Sequence, residues 1–140
     1  MTAQELLLQQ LEDAGNQISR FCEGASEAVL DHRNTPNAMT AREQIEHLCE
    51  CYQAYAMHAA GTKYKWGTYQ AKSTATASLL NELAEQRAKA VQLVQNDASD
   101  ENLKQAHMYV LAHDYYHVGQ MCQARLAVQP DWDPYAIYGL

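Results

Sequence analysis

Chain breakers are scarce in this sequence. Three prolines and six glycines are all that interrupt 140 residues, so few positions forbid a helix. Long apolar runs are missing too. None approaches the roughly 20 residues that cross a bilayer, and no basic-then-apolar stretch of a secretory leader opens the chain. No membrane partner is expected, and a cytoplasmic location is. Basic clusters are also lacking. Ten Lys and Arg stand against 17 Asp and Glu, for a formal charge of −7. Nothing here would track phosphates, so nucleic acid is not an expected partner. There is no CxxC pair, which excludes a zinc finger. Cys22, Cys49, Cys51 and Cys122 are expected as free thiols, because nothing marks the chain as secreted. Cys49 and Cys51 would point about 200° apart on a helix and could not clasp one ion together.

What is present favours helix. Ala, Gln, Leu and Glu dominate, and 47% of residues are hydrophobic, enough to bury a real core. Residues 1–140 are expected to form a single all-α domain. Leu7, Leu11, Ala14, Ile18 and Phe21 give the first helix, Ala3 to about Cys22, one apolar stripe. Thr2 suits its N-cap and Gly24 its stop. A helical turn is expected around Ser26–Leu30. Thr40 with Glu43 reads as a capping box that opens a second helix from Ala41 to about Ala60. Its stripe is Ile45, Leu48, Cys49, Tyr52 and Ala56.

A long polar and aromatic connection follows, from Gly61 to about Ala77. It reads as a crossover that packs its aromatics on the bundle end, with a lid as the sharper alternative. A third helix is expected over Ser78–Gln95, with Leu79, Leu80, Leu83, Ala90 and Val94 inward. A fourth is expected from Asp100 to Ala127. The tail carries Pro130 and Pro134, so it is not helical throughout. Its Trp132, Tyr135, Ile137 and Tyr138 should fold back over the bundle or a partner subunit. Four helices with a long second connection predict a four-helix bundle.

The chemistry concentrates in the last helix. His113 and His117 are four residues apart and share a face, so two imidazoles could grip one ion. They fall on the stripe of Leu103, Ala106, Val110, Met121 and Ala124. A buried imidazole pair without partners is costly, and a metal or polar partners would remove that cost. His47 lies beside the core stripe of the second helix, about 100° from Leu48. It could reach the bundle interior or face water. Should His47 meet the other two, three neutral imidazoles would suit zinc, nickel, cobalt or iron(II) and leave one position open. Glu43, Glu46 and Asp114 are candidate acceptors for their second ring N–H groups. Cys51, one turn beyond His47, is a conceivable nucleophile, though buried bundle cysteines are usually inert. His32, His58 and His107 read as exposed or structural. The HExxH glutamate of a protease is absent, and so are the Glu-x-x-His pairs of a di-iron bundle.

Two segments carry a family resemblance. Asn37-Ala-Met-Thr-Ala-Arg-Glu-Gln-Ile-Glu-His-Leu48 resembles the helix-two opening of the DinB/YfiT-like superfamily, and His113-Asp-Tyr-Tyr-His-Val-Gly-Gln120 resembles its H-x-x-x-H-x-G-Q motif. Met39 departs from the tryptophan that many members carry there. The resemblance implies an up-down-down-up bundle, a divalent metal on His47, His113 and His117, and a homodimer. Zinc or nickel is the expected ion, with iron, cobalt and manganese also admissible. Members include metal-dependent transferases of low-molecular-weight thiols and a maleylpyruvate isomerase. The expected function is thus a metal-dependent enzyme acting on a small molecule, such as a low-molecular-weight thiol. The alternative is a non-catalytic metal-binding or stress-associated bundle.

Overall fold

The computed structural model describes residues 1–140 and is all-helical, with no strand. Helix α1 spans Ala3–Cys22 and α2 spans Glu27–Leu30. Helix α3 spans Ala41–Ala59, α4 Thr76–Asn96 and α5 Asp100–Ala106. A π-helical segment, His107–Leu111, joins α5 to α6, Ala112–Val128. A 3₁₀ helix, Pro134–Tyr138, ends the chain. No helix is long and apolar enough to cross a membrane.

The helix starts follow local chemistry. Thr2 and Glu5 form a reciprocal capping box on α1 (Glu5 N–H to Thr2 Oγ1, 3.1 Å; Thr2 N–H to Glu5 Oε2, 2.8 Å). Thr40 and Glu43 do the same on α3, at 3.1 and 3.0 Å. Two donors that the helix cannot satisfy are answered at each end. Gly24 and Gly61 follow α1 and α3 with φ of 68° and 77°, a left-handed turn that glycine adopts without strain.

One hydrophobic cluster draws residues from every helix. The whole expected α1 stripe is buried. Its leucine, isoleucine and phenylalanine side chains each contribute on the order of 1.5–3 kcal/mol of apolar burial. Tyr55 joins this core and donates to Asn102 Oδ1 at 2.7 Å. The Asn102 amide in turn donates to the carbonyls of Leu93 and Asp97, fastening the turn between α4 and α5.

The π-helical segment was not legible as a break. Ala112 N–H bonds His107 O, an i to i+5 bond that adds one residue to the turn. That residue advances the helix phase beyond it by about 100°. Asp114, not His113, therefore takes the centre of the buried face, and it is fully buried. His117 stays buried, while His113 moves to the edge of the stripe.

Asp114 is not left bare. It accepts from the Tyr52 hydroxyl and pairs with Arg87 Nη1 at 2.7 Å. Arg87 also donates to Tyr52 Oη at 2.7 Å and to the Leu11 carbonyl. Burial pushes the Asp114 carboxyl above its ordinary pKa, against the pull of Arg87 and Tyr52.

The tail folds back onto α1. Ile137 is buried, and its carbonyl accepts from Arg20 Nη1 at 3.1 Å. Trp132 meets Phe21 edge-on, with Arg125 4.5 Å above its ring.

Candidate metal centre

The capping box fixes where α3 begins, and the phase of α3 then turns His47 toward α6. The π turn brings His113 to the facing edge of α6, one helical turn before His117. The three rings meet there. Ring centroids lie 5.2 Å apart for His47 and His117, 6.0 Å for His47 and His113, and 6.1 Å for His113 and His117.

Each ring has an acceptor at Nδ1. For His113 it is the Met108 carbonyl, at 2.9 Å, inside the π-helical segment. For His47 it is Glu50 Oε1, at 3.3 Å. For His117 it is Gln44 Oε1, at 2.9 Å, and Gln44 Nε2 donates to the Met39 carbonyl at 3.3 Å. A carbonyl and a carboxylate only accept, and the Gln44 amide is oriented by Met39. All three Nδ1 atoms must therefore carry the proton. Each neutral ring then keeps its lone pair on Nε2, the atom a metal would use. Burial, with the neighbouring His47 and His113, lowers the His117 pKa to about 4.

Cys51 joins this group. Its Sγ lies 3.5 Å from His47 Nε2. His47, Cys51 and His113 offer donor atoms all within 4.8 Å of one another, a His-Cys-His cluster able to hold a metal ion. The four cysteines are free thiols.

The connection between α3 and α4 covers this corner. Glu50 Oε2 accepts from the Tyr64 hydroxyl at 2.8 Å, the Gly67 N–H at 3.0 Å and the Tyr69 N–H at 3.3 Å. Burial works to raise the Glu50 pKa, but these bonds and the one from His47 outweigh it and hold the carboxyl below its ordinary value. Glu46 accepts from the Ala71 N–H at 3.3 Å, and Glu82 from the Tyr69 hydroxyl and the Lys72 N–H. Thus anchored, Trp66 lies 6.2 Å from the His47 ring and stacks with Tyr109. Tyr64 meets Trp66 edge-on. The connection is both a packed crossover and a cover over His47.

The expected acceptors are not the ones used. Glu43 serves the helix cap, Glu46 the connection, and Asp114 the Arg87 pair. Glu50, Gln44 and the Met108 carbonyl take those places. Glu50 had a visible signal, three residues after His47 on one helix. Gln44 and Met108 had none, since one acts across the bundle and the other through its backbone. His58 and His107 are exposed and His32 is half-buried; none joins the three rings. A groove of about 970 Å³ between α1 and α4 contains none of the three histidines.

The family comparison agrees with the two motifs that this corner brings together. Residues 10–121 match the DinB superfamily. The chain belongs to the DinB superfamily. The match takes in both the α3 opening and the α6 histidine pair of this DinB protein. No curated protein and no solved structure matches the chain.

Proposed function

We propose that this DinB protein holds one divalent metal ion on His47, His113 and His117 and works as a metal-dependent enzyme on a small molecule. The observation that carries the proposal is the set of Nδ1 contacts on the three rings. Two acceptors on α3, Gln44 and Glu50, and one in the π-helical segment, the Met108 carbonyl, leave three Nε2 lone pairs in one corner. Three neutral imidazoles leave a further position for a ligand, as catalytic zinc sites do. Zinc or nickel suits such a set, with iron, cobalt and manganese also admissible. When bound, the ion would supply a lowered pKa to a thiol or water beside it. The protein's share is to fix the rings through Gln44, Glu50 and the Met108 carbonyl, and to limit water with Trp66 and Tyr64.

The substrate class we favour is a low-molecular-weight thiol, taken up for S-transfer. The superfamily resemblance supports it, and the up-down-down-up bundle and homodimer are proposed on the same ground; a single domain is proposed from the chain's length and a cytoplasmic location from its lack of long apolar runs. The exposed Tyr135 and Tyr138 of the tail would suit a subunit contact. The cover over His47 favours a second reading, a non-catalytic metal-binding bundle.

Calorimetric titration of the zinc-loaded protein with glutathione and with cysteine separates the two. Saturable binding that His113→Ala abolishes supports the enzyme. Full metal occupancy with no saturable thiol binding supports the non-catalytic bundle.

A further inference from the structure

Two pairs of residues at i, i+4 spacing face each other in this corner: His47 with Cys51 on α3, and His113 with His117 on α6. We propose that Cys51 is a fourth ligand, so that the resting centre is a closed set of three imidazoles and one thiolate. The inference rests on the three-histidine reading and deepens it.

Distance carries the argument. A tetrahedral zinc ion with Zn–N of about 2.0–2.1 Å and Zn–S of about 2.3 Å sets its nitrogen and sulfur ligands about 3.5 Å apart. Cys51 Sγ stands 3.5 Å from His47 Nε2. That is the edge of such a coordination polyhedron. His113 completes a donor group whose atoms lie within 4.8 Å of one another; His117 is not in that group, so closing all four ligands on an ion asks both α6 rings to move inward. Cys51 is fully buried and half a turn from Cys49, whose neighbours are Tyr69 of the connection and Glu82 of α4. Only one of the two thiols is therefore offered to the histidines. In the metal-free chain, the Cys51 S–H donates to His47 Nε2, and an ion takes the place of that proton.

The consequence concerns access. The Cys51 sulfur takes the position that three histidines alone leave open. A small molecule reaches the ion only when that sulfur leaves. A mixed nitrogen and thiolate set also favours zinc or cobalt over magnesium or calcium.

The test is the absorption spectrum of the full chain titrated with cobalt(II). The proposal expects an intense near-ultraviolet thiolate-to-cobalt band that saturates at one ion per chain. Cys51→Ser should lose that band while still binding cobalt, as seen in its weaker visible bands, and Cys49→Ser should keep it. One cobalt bound by the wild-type chain without the near-ultraviolet band would overturn the proposal and leave the three-histidine site standing. A band that survives in Cys51→Ser would overturn it equally. No cobalt binding by the wild-type chain would remove both.

Discussion

Glu50 binds His47 with one carboxylate oxygen and the α3–α4 connection with the other. Oε1 lies 3.3 Å from His47 Nδ1, and Oε2 gathers the Tyr64 hydroxyl and the N–H groups of Gly67 and Tyr69. One side chain thus sets both the ring's proton and the position of its cover. Glu50→Gln should weaken metal affinity about 10- to 100-fold, the usual cost of losing such a partner. It should also speed proteolysis within the 61–75 connection. Competition titration against a zinc chelator and timed trypsin digestion read the two effects. Unchanged values in both would refute the double role.

The Arg87–Asp114 pair makes a prediction about stability alone. Asp114 is fully buried and Arg87 is tied to it, to Tyr52 and to Leu11. Asp114→Ala strands the guanidinium and should cost about 3–5 kcal/mol. Replacing both partners, with Asp114→Leu and Arg87→Met, should recover most of that loss. Urea midpoints of the wild type and the two variants decide it. A double variant as unstable as the single one would contradict the assignment.

Gly15 and Gly119 are both helical glycines with opposite surroundings. A Cβ on Gly15 would lie 2.7 Å from Arg87 Nε, whereas one on Gly119 meets nothing within 4 Å. Arg87 cannot swing aside, because Asp114, Tyr52 and Leu11 hold it. Gly119→Ala should therefore stabilise the chain by about 0.5–1 kcal/mol, the ordinary gain in a helix interior. Gly15→Ala should instead lower the melting temperature. In an Arg87→Met background that penalty should vanish. Equal effects at the two glycines would show that Arg87 does not cross α1 there.

The tail gives a fourth test. Trp132 packs on Phe21 and under Arg125, and Ile137 is buried against α1. Ile137→Ala should cost about 2–4 kcal/mol if the tail is part of the core. A change below about 0.5 kcal/mol, the level of an ordinary surface substitution, would show the tail to be dispensable.

The parts of this fold legible in the sequence were those written locally. Thr2 with Glu5 and Thr40 with Glu43 announce their helices within four residues. The α1 stripe is legible because a regular helix repeats every 3.6 residues. The same rule misplaced His113 and Asp114, since the π turn at His107–Leu111 adds a residue that no spacing announces. The three histidines could be singled out, but of their partners only Glu50 had a local signal. Gln44 reaches His117 across the bundle, Met108 acts through its carbonyl, and Glu50 answers to a connection that sequence alone leaves without a shape. Asp114 reads as a candidate acceptor for a ring until Arg87 is seen beside it, and nothing in the spacing marks Glu82 as the buried partner of Tyr69.

The central claim is that His47, His113 and His117 hold one divalent ion. Its most direct test is metal content by mass spectrometry, on protein purified without chelator or nickel resin, beside His117→Ala. The account predicts about one divalent ion per wild-type chain and little in the variant, with helical content unchanged. A metal-free wild-type chain that also refuses added zinc, or a variant that retains its ion, would contradict it.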